Sequence, residues 1–224
     1  MKVITFAEGE PYKTSALSLS RTQEKFGIAP AEIWDRDRVT NSDWYPLISH
    51  QAYLGTVSSA KNLNFAWKPM LILETAKKAK KGEFLLYIDS SKYDRRGWTH
   101  TPEAYKNFLD SLGPASPRLF CGGSTSMLGN ASHYSSTWSS VKQAAAILGI
   151  SSLTQASWKQ SRQAMAGIIF FRNDPQSRAI LEDWCLLAAH SSFFSKNLRS
   201  DQIALNLLAH KYKIGSVDLD CYRW

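Results

Sequence analysis

Asp89 ends the run Phe84-Leu85-Leu86-Tyr87-Ile88, which no polar residue interrupts, and Ser90-Ser91 follow it. Preceded by Lys81-Gly82, such a run reads as a strand buried on both faces of a parallel sheet. Ligands of open α/β sheets sit beyond the carboxyl ends of such strands. A carboxylate at that point can hold a metal ion or a ribose, and it can equally cap a turn. Cationic chemistry is concentrated nearby. Positions 61–96 carry nine Lys/Arg against four Asp/Glu, in a chain whose net charge is +8. That excess can attract nucleic acid, an anionic surface or a phosphorylated small molecule. Lys77, Lys78, Lys80 and Lys81 also suit the solvated carboxyl end of a helix. That reading accounts less well for Lys68, Arg95 and Arg96, which flank the expected cleft beside Asp89.

Other chemistries have no support in the sequence. There is no GxxxxGK[ST], GxGxxG or HExxH pattern. Gly122-Gly123-Ser124-Thr125-Ser126 lacks the glycine two places after Ser124 that a nucleophile elbow needs. Its glycines suit a tight turn or the close approach of a ligand. The five histidines form no i, i+3 or i+4 pair, which leaves Ser/His/Asp catalysis unsupported. Three cysteines without CxxC spacing speak for a reducing compartment and against structural zinc. Asn130-Ala131-Ser132 fits a glycosylation acceptor, a match with meaning only in a secreted chain.

The elements that must position these groups follow from periodicity. Strands are expected over 3–7, around 33–34, and over 84–89, 118–121 and 166–171. Helices are expected over 14–26, 43–53, 69–81, 101–112, 138–148, 176–190 and 200–212. Gly27 suits a left-handed cap after the first helix. Pro69 fits the first turn of a helix closed by Gly82, and Thr101-Pro102 fits a hydroxyl-capped start. Strands alternating with helices favour a mostly parallel sheet covered on both sides. With 224 residues, 44% of them hydrophobic, the chain can bury a sizeable core in one domain over 1–224. No apolar run approaches the roughly 18 residues of a membrane span. The amino-terminal run meets Glu8 too soon for a signal-peptide core, so a cytoplasmic protein is expected.

Several of these pieces share an order known from one family. Ala66-Trp67-Lys68-Pro69, a helix, and then Gly82-Glu83-Phe84-Leu85-Leu86-Tyr87-Ile88-Asp89-Ser90 resemble the WKP and Y-(I/L)-D-(S/A) stretch of small GT-A glycosyltransferases. The virus-encoded and bacterial enzymes without a membrane anchor are the most similar. Ala166-Gly167-Ile168-Ile169-Phe170-Phe171-Arg172-Asn173 looks like their acceptor-side strand. Arg199-Ser200-Asp201-Gln202 is similar to their (H/R)-x-D-Q signature, and Phe6-Ala7-Glu8-Gly9 to their opening strand and loop. The likeness spans positions 3–212. It implies a single GT-A (Rossmann-like) domain, its mixed, mostly parallel sheet flanked by helices. It further implies a metal-dependent, inverting transferase that moves a sugar from a nucleotide-diphosphate donor, a UDP-sugar foremost, to a glycan or other hydroxyl acceptor.

The same resemblance assigns roles. In such enzymes Mn²⁺ or Mg²⁺ on a DxD motif neutralises the leaving diphosphate as a Lewis acid. Asp89 becomes the first aspartate, near metal or ribose, and Ser91 stands where the family has the second. A metal then needs Asp89 and a further ligand, for which Asp94 is a candidate. Lys68 is expected at a phosphate, or merely before a helix start. Arg95 and Arg96 either clamp the diphosphate or occupy a solvated loop. Asp201 is the expected general base, although an acid in a first helical turn is favoured by the dipole alone. Asp174 is the competing base, and Asp-Pro is also an ordinary turn. Of Trp98, Tyr134, Trp138 and Trp158, one or two line the acceptor site and the rest pack in the core or half-buried surface. This reading expects no nucleic-acid partner. Its rivals are a nucleic-acid-binding module built on the basic 61–96 segment, and a GT-A scaffold inactive for want of the second aspartate.

Overall fold

The computed structural model describes residues 1–25, 27–49, 65–90, 118–121, 138–161, 164–190, 200–214 and 216–218. The strands are β1 (Lys2–Phe6), β2 (Glu32–Trp34), β3 (Phe84–Ile88), β4 (Arg118–Cys121), β5 (Ala164–Arg172) and β6 (Ser216–Asp218). The helices are α1 (Tyr12–Lys25), α2 (Arg36–Thr40), α3 (Tyr45–Ser49) and α4 (Trp67–Lys78), then α5 (Trp138–Ile147), α6 (Gln155–Gln160), α7 (Pro175–Ala189) and α8 (Ser200–Tyr212). The expected helix over 101–112 and the Gly122-Gly123 turn lie outside the described residues. The short α2, α6 and β6 have no counterpart among the sequence expectations.

All six strands join one sheet in the order β2-β1-β3-β5-β4-β6. β1 pairs in parallel with β2 and with β3, and β4 pairs in parallel with β6. β5 runs antiparallel to both of its neighbours, β3 and β4. The sheet is therefore mixed and mostly parallel, with one reversed strand near its centre. A continuous apolar run reports burial on two faces and carries no sign of strand direction, which is why β5 was legible as a strand but not as a reversed one.

Alternation along each strand sends side chains to opposite faces. Ile4 and Phe6, Leu85 and Tyr87, and Ile169 and Phe171 enter one core with Leu71, Ile180, Trp184 and Leu207 from α4, α7 and α8. Val3, Leu86 and Phe170 are equally buried but lie outside that cluster, on the other face. α7 starts cleanly because Asp174 caps it, accepting from the Ser177 amide at 2.8 Å, with Pro175 next in line. α1 ends at Gly27 (φ +69°), where the amides of Gly27 and Ile28 return to the carbonyls of Glu24 and Gln23. This is the left-handed cap the sequence suggests. Every residue of α4 from Trp67 to Ile72 is buried, Lys68 among them. No described helix is long and apolar enough to cross a membrane.

Candidate functional site

β1 lies between β2 and β3, so the chain leaves it in one direction and returns on the other side. The carboxyl ends of β1 and β3 thus flank the switch point where open α/β sheets hold ligands. Because β5 is reversed, its amino end reaches the same edge: Ile168 pairs with Ile88, and the Asp89 amide donates to the Gly167 carbonyl at 2.8 Å. On the other side, the Ser90 hydroxyl donates to the Phe6 carbonyl at 2.9 Å, while the Ser15 hydroxyl donates to the Ser90 carbonyl. The backbone around Asp89 is tied to both neighbouring strands and to α1.

Asp89 keeps a side chain 23% exposed at this edge. Its Oδ1 accepts from the Tyr87 hydroxyl at 2.8 Å and faces the Lys68 Nζ at 3.3 Å. Tyr87 can reach it because residues two apart on a strand share a face. Tyr87 and Lys68 thus both hold the same oxygen of Asp89.

Lys68 is fully buried. Its ammonium donates to Asp201 Oδ2 at 2.8 Å and to the Ala166 carbonyl at 2.9 Å, and it faces Asp89 as its third partner. The Phe65 and Tyr87 rings lie 4.7 and 5.1 Å from Nζ and add cation–π attraction. Phe65 itself takes φ 52°, a left-handed backbone that costs a bulky residue about 1–2 kcal/mol; its ring covers the ammonium. Burial alone would lower the Lys68 pKa. The charges of Asp201 and then Asp89, with the hydrogen bonds that the ammonium donates to them, outweigh it and hold the ammonium above its ordinary value. Burial, and then the charge of Asp89, push the Tyr87 phenol well above its own.

The site rearranges several expectations. Lys68 does not stand at a phosphate: three acceptors take its three N–H donors inside the protein. Asp201 does reach the site. It is 4% exposed, with Oδ2 on Lys68 and Oδ1 accepting from the Gln202 amide at 2.9 Å. Each oxygen has one partner, and Oδ2 makes Asp201 the ion-pair partner of Lys68. Asp174 is excluded from the site. It follows β5, whose Arg172 pairs with Phe84 at the amino end of β3. Four residue steps separate Phe84 from Ile88, roughly 14 Å of strand, and Asp174 caps α7 at that far edge. Trp158 is buried in the core and Trp138 packs against it. Ser91, Asp94, Arg95, Arg96, Trp98 and Tyr134 lie outside the described residues.

Two features escaped the sequence reading. The first is the Tyr87 hydroxyl on Asp89. The second is the pair of Glu8 and Arg36, which close the carboxyl ends of β1 and β2, with Arg36 Nε 2.5 Å from Glu8 Oε1. A signal existed for the burial of Lys68: it is the one charge in the stretch Phe65-Ala66-Trp67-Lys68-Pro69-Met70-Leu71-Ile72-Leu73. A cation set among such neighbours needs a buried anion.

A divalent ion such as Mn²⁺ or Mg²⁺ needs several hard oxygen ligands. Among the described residues no group of three or more His, Cys, Asp or Glu can hold one. Asp89 Oδ1 and both Asp201 oxygens are already engaged, two of these three by an ammonium whose charge opposes a second cation. The described donor set does not fit the ion. No protein-family model, curated protein or solved structure matches the chain. Fold and site define an α/β protein whose mixed, mostly parallel sheet carries a compensated carboxylate pair at its switch point.

Proposed function

We propose that the chain is a glycosyltransferase that takes its sugar from a nucleotide-diphosphate donor, a UDP-sugar foremost, and passes it to a glycan or other hydroxyl acceptor with inversion. The observation that carries the reading is convergence. Three of the charged residues quoted for the family resemblance, Lys68, Asp89 and Asp201, are scattered over the chain, yet both carboxylates lie within 3.3 Å of the Lys68 nitrogen. They meet at the edge where α/β sheets bind nucleotides.

On this reading Asp89 accepts a hydroxyl of the donor, and Arg95 and Arg96, with Ser91, bind its diphosphate. A hydrogen bond to a charged group is worth about 1.5–3 kcal/mol, so Asp89 is the residue to change. Donor turnover supplies the test: release of UDP from a panel of UDP-sugars, with GDP-sugars as the control, by the wild type and by Asp89→Asn. Release by the wild type that falls at least about tenfold in the variant supports the reading. Nucleotide binding without any release describes an inactive scaffold. No binding at all, with affinity for RNA or DNA that falls steeply with salt, describes the nucleic-acid module instead.

A further inference from the structure

The Lys68 nitrogen sits inside a set of oxygens of the kind that cations select: two carboxylates and a carbonyl at 2.8, 3.3 and 2.9 Å, with the Tyr87 hydroxyl bonded to one of the carboxylates. Each oxygen comes from a different element. Asp201 belongs to α8, Ala166 to β5, and Asp89 follows β3, while Lys68 belongs to α4. Four parts of the fold are held by one charge. That charge is covalently attached, fully buried, and left with no spare donor.

We propose that the Lys68 ammonium is the resident cation of this site, a positioning residue that takes the place between Asp89 and Asp201 which a divalent ion would otherwise fill. One positive charge against two carboxylates leaves the cluster one negative charge. Tyr87 and Lys68 both hold Oδ1 of Asp89. The place between the two carboxylates is filled without metal, and Asp89 and Asp201 do not jointly ligate Mn²⁺ or Mg²⁺ in the native protein. This departs from the metal-binding role that the resemblance implies for Asp89. It rests on the geometry of the cluster; only its bearing on catalysis rests on the transferase reading.

The test uses the nucleotide-free protein, so its outcome is independent of whether the transferase reading stands. Thermal unfolding is followed for the wild type, Lys68→Ala and Lys68→Arg. The wild-type melting temperature is expected to be indifferent to Mn²⁺ and Mg²⁺. Lys68→Ala is expected to melt lower and to recover part of the loss with propylammonium or a divalent ion, but not with sodium or tetramethylammonium at equal ionic strength. Lys68→Arg, which keeps the charge but not the shape, is expected to fall between the two. A folded Lys68→Ala that melts as the wild type does, or that responds to neither amine nor divalent ion, overturns the proposal. Should Lys68→Ala fail to fold, Mn²⁺ titration of the wild type, followed by the spin resonance of the free ion, decides the matter. No bound ion is the result expected. Stoichiometric binding that Asp89→Asn or Asp201→Asn abolishes is the contrary one.

Discussion

Lys68 and Asp201 are 133 residues apart in the chain, and their ammonium and carboxylate meet at 2.8 Å in the interior. Neither charge is tolerable there without the other, since an isolated buried ion costs far more than a hydrogen bond returns. The pair therefore ties the first turn of α4 to the first turn of α8. It also fixes Asp89, the third member, at the open edge of the sheet.

Removing one partner should show the cost of the charge left behind. Lys68→Met is expected to lose about 3–5 kcal/mol of stability, because two carboxylates are left facing each other around an apolar chain. Denaturant unfolding measures this as a lower midpoint. Lys68→Met combined with Asp201→Asn should lose less than the sum of the two single changes, since the pair acts as a unit.

Alkaline pH should act on the same cluster. The folded pKa values of Lys68 and Tyr87 are both raised. A group whose folded value exceeds its unfolded one stabilises the protein fully below the unfolded value, about 10.4 for lysine and 10 for tyrosine, and loses that contribution as pH rises through the folded value. Unfolding midpoints across an alkaline series should fall beyond about pH 10 through this cluster, on top of the earlier fall that the Cys185 thiol, pushed up by burial to about 12, brings. The fall should be shallower in Lys68→Met and in Tyr87→Phe.

Tyr87→Phe isolates the hydroxyl that holds Asp89 Oδ1. Loss of one buried hydrogen bond costs about 1 kcal/mol in stability. A carboxylate freed to rotate should weaken ligand binding as well, by a factor that calorimetry can compare with Asp89→Asn. An unchanged ligand affinity would remove Tyr87 from the site.

Asp174 provides the converse case. It caps α7 at the far edge of the sheet, so Asp174→Ala should cost about 0.5–2 kcal/mol as a lost cap and leave ligand affinity and turnover unchanged. A selective loss of turnover in a stable variant would restore it as a base.

How much of this was legible in the sequence varies with the physics. β3 and Asp89 were legible, because an apolar run that stops on an acid reports both a buried strand and its edge. α8 occupies the 200–212 span that its apolar residues suggest. The direction of β5 was not, since burial on two faces looks the same either way, and it is this direction that puts Asp174 at the far edge. The burial of Lys68 shows in its apolar neighbours, but its partner lies 133 residues away and only the fold brings them together. Short elements such as α2, held by the Asp35 cap on the Arg38 amide at 2.9 Å, carry too little periodicity to be seen.

On the proposed function Asp89, held by Lys68 and Tyr87, forms part of a nucleotide-sugar site. Calorimetric titration of UDP, and then GDP, into the wild type and into Asp89→Asn, with and without Mn²⁺, addresses it most directly. Micromolar UDP binding is expected, weakened by about ten- to a hundredfold in Asp89→Asn while the variant stays folded. Absence of nucleotide binding to the wild type in either condition, or equal binding to the folded variant, would contradict it.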